Sequence, residues 1–292
     1  MNFIKPSQEQ LNNLIKYYQT GRFVDAEKLS LSITQEFPEH PFSWKVLAVI
    51  LKKNGRINKS LIASQKSVEF GPQDAIAHNN LGNTLKELGR LDEAEASYKK
   101  ATALKPDYAL AYHNFGNMLK EQGRLIEAEI SIKKAITLKP DFAEAHCNLG
   151  NTQKQLRRLE EAETSYRKAI TLKPDYAEAH NNLGGLLIKL NKIEEAKICY
   201  KKAIEIKPDY AEVKHLLSAL TGHTTNSAPR KYVENLFDNY AINFEHSLVD
   251  KLEYKIPNKI IKMIVAKNSN IQSLEQLINS WHSSSEIKSS TT

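Results

Sequence analysis

The sequence predicts an all-α fold, a solenoid of stacked helix–turn–helix units, and three observations support this prediction. Prolines recur every 34 residues without insertion or deletion, at Pro38, Pro72, Pro106, Pro140, Pro174 and Pro208. Within each period, apolar residues recur at helical spacing. The composition, with 41% hydrophobic and 26% charged residues, is typical of a folded globular chain. A fixed period of this length is typical of paired helices in which each unit packs only on its neighbours.

The third period, residues 72–105, shows how one unit is predicted to fold. Its first helix is predicted from about Asp74 to Leu88 and its second from about Leu91 to Leu104. The apolar stripe of the first helix consists of Ala77, Leu81 and Leu85. Gly89 separates the two helices, because glycine adopts the left-handed conformation of a helix end without steric cost.

The turn residue changes along the chain. The glycine is kept as Gly89 and Gly123, but the next two units have Arg157 and Asn191 at the same position. Asparagine tolerates the left-handed conformation better than arginine does. The sequence therefore predicts slight strain at Arg157.

These patterns resemble the tetratricopeptide repeat, with a bulky residue, Leu, Gly and Tyr in the first helix and Ala, an aromatic residue, Ala and Pro in the second. The resemblance implies a right-handed superhelix over residues 4–221, whose first helices line a concave groove. Four units match closely, and the two before them are degenerate but in phase. The repeats are predicted near residues 4–37, 38–71, 72–105, 106–139, 140–173 and 174–207, with a seventh first helix at 208–221.

Asparagines provide the clearest functional pattern. Asn80, Asn114, Asn148 and Asn182 are 34 residues apart, and Asn83, Asn117 and Asn151 follow three residues later on the same helical face. An amide can hydrogen-bond a peptide backbone whatever its side chains are. The arrangement resembles the asparagine ladder in the repeat region of O-linked N-acetylglucosamine transferases, which implies a groove that holds an extended protein segment.

Inherited repetition is the alternative explanation, because repeats that diverge from one ancestor copy their residues together. Asparagine is unfavourable in a helix by a few tenths of a kcal/mol relative to alanine, however. Seven such residues on one face favour groove binding. Under this hypothesis, replacing Asn114 and Asn148 by Ala weakens partner binding and leaves thermal stability unchanged or slightly higher.

Lysines form a further row at Lys86, Lys120 and Lys154, one helical turn beyond the second asparagines. Such lysines could bind a carboxylate, as in family members that bind chaperone tails. Glu87 and Glu121 lie beside them, so a solvated helix face is the default interpretation.

The remaining candidate ligands predict neither a metal site nor a cofactor. His78, His146 and His180 hold the position of a bulky packing residue, and repeats are about 10 Å apart, too far for them to share a metal. Cys147 and Cys199 lie in different repeats without metal-type spacing, and we expect both to be small, buried or half-buried side chains.

The sequence beyond the repeats resembles the lead-in of repeat-containing methyltransferases. Residues 222–229 are predicted to be a linker, residues 230–266 a helical segment of this kind, and residues 267–292 a weakly helical to disordered tail. Only 35 residues follow Pro257, and no glycine occurs from residue 223 to 292. A nucleotide-binding domain needs a Gly-rich turn and more than about 100 residues. We therefore expect a chain that stops before any catalytic domain.

The sequence thus predicts a scaffold that binds an extended segment of a partner protein and is not itself an enzyme. The alternative is a recognition subunit or truncated remnant of a methyltransferase or glycosyltransferase. Self-association through the aromatic segment from Tyr232 to Phe244 is a third option. A net charge of +7 without a Lys/Arg run predicts no nucleic-acid partner. The absence of a long apolar segment predicts a cytoplasmic protein without a membrane partner.

Overall fold

The computed structural model describes residues 5–222, which form thirteen α-helices and, within that range, no strand. The predicted all-α solenoid is confirmed. The helices are α1 (Gln8–Gln19), α2 (Phe23–Glu36), α3 (Pro41–Lys53), α4 (Ile57–Phe70), α5 (Ala75–Glu87), α6 (Leu91–Leu104), α7 (Ala109–Glu121), α8 (Leu125–Leu138), α9 (Ala143–Gln155), α10 (Leu159–Leu172), α11 (Ala177–Lys189), α12 (Ile193–Ile206) and α13 (Ala211–Leu220). Apart from Gly222, the predicted linker, the methyltransferase-like segment and the tail lie outside the described residues.

Odd-numbered helices are the first helices of the repeats, and even-numbered helices are the second. Each first helix packs on the second helix of its own repeat, and each second helix packs on the first helix of the next. From α3 to α11, successive first helices also contact one another, and they do so more than successive second helices. Because the more closely spaced layer of a curved array lies on its inside, the first helices form the inner face.

The two helices of a repeat cross closely because small residues lie at the crossing. A Cβ atom added to Gly82 would lie 2.8 Å from the Tyr98 ring, and one added to Gly150 would lie 2.7 Å from the Tyr166 ring. Both tyrosines are fully buried. The glycine therefore makes room for the aromatic ring that fills the repeat core.

The turn between the helices is left-handed in the third to sixth repeats. The φ angles are 73° at Gly89, 76° at Gly123, 63° at Arg157 and 60° at Asn191. The prediction that Arg157 and Asn191 occupy the glycine position is therefore confirmed, and the strain expected at Arg157 follows from its positive φ.

Ion pairs connect successive second helices. A basic residue in the turn pairs with a glutamate 29 residues earlier, on the preceding second helix. The pairs are Arg56–Glu27, Arg124–Glu95 (2.5 Å), Arg158–Glu129 and Lys192–Glu163 (2.9 Å). Arg90 breaks the series, because residue 61 is leucine, and it pairs with Glu93 of its own turn instead.

We expect the Arg157→Gly substitution to raise the free energy of unfolding by about 1 kcal/mol, because it removes a side chain from a left-handed residue. The reciprocal Gly123→Arg change should lower the free energy by a similar amount. Nothing lies within 4 Å of the Cβ position at Gly123, so that loss would reflect the backbone alone. Urea denaturation measures both variants. The two substitutions should change the free energy of unfolding in opposite directions. A Gly123→Arg variant more stable than the wild type would refute the idea that a side chain is strained at this position.

The ion pairs should make stability fall in acid. Hydrogen bonds from Arg124 and Lys192 lower the pKa of Glu95 and Glu163, respectively. Burial opposes this shift at Glu129, but Arg158 and Lys133 outweigh it, and the pKa of Glu129 is also lowered. The unfolded chain, with a Glu pKa of about 4.3, therefore takes up these protons at a higher pH than the folded chain does. Their stabilisation is complete above that pH and is lost as the pH falls through the folded-state values.

The triple variant Glu95→Gln, Glu129→Gln and Glu163→Gln should be less stable than the wild type near neutral pH. It should also lose less stability between about pH 5 and pH 2. Thermal denaturation across this range tests both effects. Glu194→Gln is the control, because the Glu194 side chain is 83% exposed and belongs to no pair between second helices. An acid limb as steep in the triple variant as in the wild type would contradict the assignment.

Candidate peptide-binding groove

The first row of asparagines lies along the inner face of the array. Asn80, Asn114, Asn148 and Asn182 occupy equivalent positions in α5, α7, α9 and α11, and each residue is half-buried. Because these first helices contact one another, the four residues form one continuous row.

The row is joined from repeat to repeat by side-chain hydrogen bonds. Each asparagine after the first donates from Nδ2 to the residue 35 positions earlier, on the preceding first helix. The bonds run from Asn114 to Asn79 Oδ1 (3.0 Å), from Asn148 to His113 Nε2 (2.8 Å) and from Asn182 to Cys147 Sγ (3.6 Å). Each bond uses one of the two amide N–H groups, so the second N–H stays available to a ligand. The carbonyl oxygen of Asn148 has two long contacts, at 3.5 Å, with Lys120 Nζ and Asn151 Nδ2.

The acceptor column of Asn79, His113 and Cys147 is buried, and sequence reasoning missed it. Burial lowers the pKa of His113 to about 4, so the ring is neutral at physiological pH and its Nε2 atom can accept a hydrogen bond. Burial raises the pKa of Cys147 to about 11, which keeps the thiol protonated. A signal was present, since these residues immediately precede the asparagines of the row and are themselves 34 residues apart. As predicted, Cys147 is buried and Cys199 is half-buried.

These bonds change the expectation for Asn114 and Asn148. Replacing either residue by alanine removes a hydrogen bond between repeats. Replacing Asn114 also leaves the buried Asn79 Oδ1 without its donor, whereas His113 Nε2 keeps a 3.2 Å contact with Asn117 Nδ2 when Asn148 is lost. An unsatisfied buried polar group costs about 1–3 kcal/mol. The substitutions should therefore lower stability, contrary to the sequence-based expectation. The asparagines at the two ends of the row make weaker internal contacts. Asn80 has only a 3.5 Å side-chain contact with Asn79, and Asn182 has only the 3.6 Å contact with Cys147 Sγ.

The second row of asparagines connects the two helices in the third and fifth repeats. The Tyr98 hydroxyl donates to Asn83 Oδ1 (2.7 Å), and the Tyr166 hydroxyl donates to Asn151 Oδ1 (2.6 Å). The fourth repeat has Ile132 in place of the tyrosine. There Asn117 Nδ2 contacts His113 Nε2 (3.2 Å), and Asn117 Oδ1 is buried without a partner in the described part of the chain. The sequence alone gave no structural reason for this row.

The lysines differ from one another in their pairing. Lys86 Nζ lies 2.9 Å from Glu121 Oε1, and Lys120 Nζ lies 3.5 Å from Asn148 Oδ1. The Lys154 side chain makes no ion pair or hydrogen bond within residues 5–222. Burial lowers the pKa of both Lys120 and Lys154, and the nearby Lys189 lowers that of Lys154 further.

The histidines in the bulky position have a structural role. Nε2–H of His78, His146 and His180 each donates to the carbonyl of the proline six residues earlier, at 3.0 Å. Trp44 makes the same bond to the Pro38 carbonyl at 2.6 Å. Among the described residues, no group of three or more His, Cys, Asp or Glu side chains could hold a metal ion. None of the helices described is both long and apolar enough to cross a bilayer.

Comparison with family models identifies the repeats. Models of the TPR repeat match residues 82–123 and 116–156, and models of the tetratricopeptide repeat match residues 143–176, 177–210 and 63–96. Together the matches cover residues 63–210, just over half of the chain. The chain belongs to the tetratricopeptide repeat family. These models describe the repeat itself, so the resemblance to the repeat regions of O-GlcNAc transferases and methyltransferases stays a prediction.

Solved structures show the same fold. PilW, a type IV pilus biogenesis factor, matches with a TM-score of 0.66 and 21% identity over 73% of this chain and 100% of its own. A chain of the APC/C hetero-tetramer Cut9–Hcn1 matches with a TM-score of 0.65 and 17% sequence identity. The match covers 72% of this chain but only 42% of that chain. YrrB, described as a TPR protein with an unusual peptide-binding site, matches with a TM-score of 0.50 and 21% sequence identity. The match covers 64% of this chain and 96% of YrrB. No curated protein matches the sequence. At these identities the likeness concerns the fold alone.

We expect Tyr166→Phe to lower the free energy of unfolding by about 1 kcal/mol, because it removes the donor that satisfies Asn151. Tyr112→Phe is the matched control, since the Tyr112 side chain makes no hydrogen bond in the described residues and its loss should change little. Chemical denaturation compares the two. Equal effects of the two substitutions would show that the Asn151 bond contributes nothing.

Proposed function

We propose that the inner groove over residues 72–207 binds an extended segment of a partner protein, with Asn80, Asn114, Asn148 and Asn182 hydrogen-bonding its backbone. The observation that carries this proposal is the continuous row of half-buried amides along neighbouring first helices. The family supports it more broadly, because tetratricopeptide repeats serve protein–protein interaction.

The row suits a backbone ligand because its amides are already oriented. The bonds from Asn114 and Asn148 to the preceding repeat fix the side-chain rotamers before a ligand arrives. Fixing them in advance reduces the entropy lost on binding. The remaining N–H and carbonyl of each amide match the alternating acceptors and donors of an extended chain.

The other candidate residues have subordinate roles in this proposal. The carbonyl oxygens of Asn83 and Asn151 each already accept a hydrogen bond from a tyrosine, which leaves their N–H groups and one lone pair of each oxygen for a ligand. Asn117 lacks the tyrosine and lies at the centre of the row. Lys86 is held by Glu121, which leaves Lys120 and Lys154 as the cations available to the segment.

The length of the bound segment follows from the spacing of the helices. The row from Asn80 to Asn182 crosses three intervals between first helices, each about 10 Å wide. An extended chain covers about 3.3 Å per residue. The groove therefore holds a segment of about nine residues. Ordering such a segment costs free energy, so we expect binding to be modest and reversible.

Similar folds support the proposal without identifying the ligand. YrrB is described as having an unusual peptide-binding site, and its fold aligns with 64% of this chain. At 21% identity this match supports the ability of the fold to bind a peptide and says nothing of the peptide's sequence.

The experiment is a selection of a random library of displayed peptides of about twelve residues against the full chain. The strongest peptide is then synthesised with a fluorescent label, and its Kd is measured by fluorescence polarisation. Asn80→Ala combined with Asn182→Ala should weaken binding at least about tenfold, since each lost hydrogen bond contributes about 1 kcal/mol. These two positions are chosen because their weak contacts, 3.5 Å and 3.6 Å, make little difference to stability.

Lys134→Ala on the second helix α8 is the matched control, because Lys134 is exposed and does not lie on a first helix. It should leave the Kd unchanged. Failure to select any peptide, or a Kd that is the same in the wild type and the double asparagine variant, would refute the proposal.

A further inference from the structure

The lysines of the inner face extend to a fourth residue, Lys52, which is 34 residues before Lys86. For Lys52 and Lys86, a glutamate that lies 35 residues later in the sequence, on the next first helix, pairs with the lysine. Lys52 Nζ lies 3.0 Å from Glu87 Oε2, and Lys86 Nζ lies 2.9 Å from Glu121 Oε1. The same pairing joins α3 to α5 and α5 to α7.

This pairing ends in the middle of the groove because the sequence changes. The residue 35 positions after Lys120 is Gln155, and the one after Lys154 is Lys189. Lys120 has only a 3.5 Å contact with Asn148 Oδ1, and Lys154 has no partner in the described part of the chain. Two lysines that would be paired in the earlier repeats are therefore without a carboxylate of their own.

The surroundings of Lys154 are cationic. Lys189 and Lys120 both act on Lys154 and lower its pKa, in addition to burial, and no carboxylate acts in the opposite direction. Lys120 differs, because Glu121 and Glu178 act on it and partly offset its burial. A half-buried cation with cationic neighbours and no counter-ion is unfavourable, and a bound anion would relieve this.

We propose that the groove over the fifth and sixth repeats holds an acidic side chain of the bound segment against Lys154, with Lys120 and Lys189 beside it. This inference rests on the proposed function, and it adds a register and a direction to it. The part of the segment over α5 meets Lys86, which is already paired with a glutamate, whereas the part over α7 and α9 meets Lys120 and Lys154, which have no such pair. The acidic residue is therefore expected near one end of the segment only.

The position fits the asparagine row. Lys154 follows Asn151 by three residues on α9, and Asn151 follows Asn148 by three, so the three side chains lie along one face of the helix. A backbone held by Asn148 and Asn182 passes this face. An aspartate or glutamate side chain of that segment reaches Lys154 while the backbone of the segment stays hydrogen-bonded to the asparagine row.

The library selected for the proposed function also tests this inference. Peptides displayed with their C-terminus fused to the carrier should be enriched in Asp or Glu at one end on the wild-type chain. On Lys154→Gln, peptides should still be selected, but the acidic preference should be lost. Lys86→Gln, the matched control, should retain it, because Lys86 is already paired with Glu121.

The strongest acidic peptide, synthesised with an amidated C-terminus, should bind Lys154→Gln about fivefold more weakly than the wild type. The difference should shrink as salt is raised. Lys154→Gln should be at least as stable as the wild type in denaturation, since it removes an unpaired half-buried charge, so weaker binding cannot be due to unfolding. A neutral peptide with a free C-terminal carboxylate distinguishes the two sources of carboxylate, and tighter binding of that peptide than of the acidic amidated one would overturn the side-chain assignment.

Peptides selected by the asparagine row without an acidic preference would overturn this inference and leave the proposed function intact. Selection that is independent of Asn80 and Asn182 would overturn both.

Discussion

The close crossing of the two helices within a repeat governs both the fold and the groove. A glycine of the first helix, such as Gly82 or Gly150, lets a buried tyrosine of the second helix lie against the backbone. The hydroxyl of that tyrosine continues to the inner face and donates to an asparagine, Asn83 or Asn151. Packing in the core therefore fixes the orientation of a side chain in the groove. Where the tyrosine is replaced by Ile132, the asparagine of that repeat loses its donor.

Neighbouring repeats are held together on two faces. The second-helix layer is joined by ion pairs between residues 29 apart, such as Arg158 and Glu129. The first helices are joined by side-chain hydrogen bonds between residues 35 apart and, from α3 to α7, also by lysine–glutamate pairs. Both series have gaps. Leu61 removes one ion pair, and Cys147 provides only a weak sulfur acceptor for Asn182. Since each repeat contacts only its neighbours, such gaps act locally and do not disturb the solenoid.

The period allowed most of the fold to be predicted from the sequence. The second helix of the third repeat runs over Leu91–Leu104, as predicted, and the first helix is one residue shorter at each end than expected. Proline and glycine mark these boundaries by local sterics, which require no tertiary information. The contacts of the candidate site were harder to predict from the sequence. Whether Asn148 reaches His113, or Lys86 reaches Glu121, depends on how far each repeat is rotated against the next. That rotation comes from packing and not from local sequence.

Structural and proposed ligand-binding roles of the asparagines are compatible, and the strength of the internal hydrogen bonds differs along the row. Inherited repetition and inter-repeat bonding account for Asn114 and Asn148, whose donors meet good acceptors at 3.0 and 2.8 Å. They account poorly for Asn80 and Asn182, whose contacts are long. Asparagine is unfavourable in a helix, and a position without a strong internal bond gives no stability in return. A ligand that meets the whole row supplies the missing partner at both ends, so the case for a binding groove is strongest at the two asparagines that contribute least to the fold.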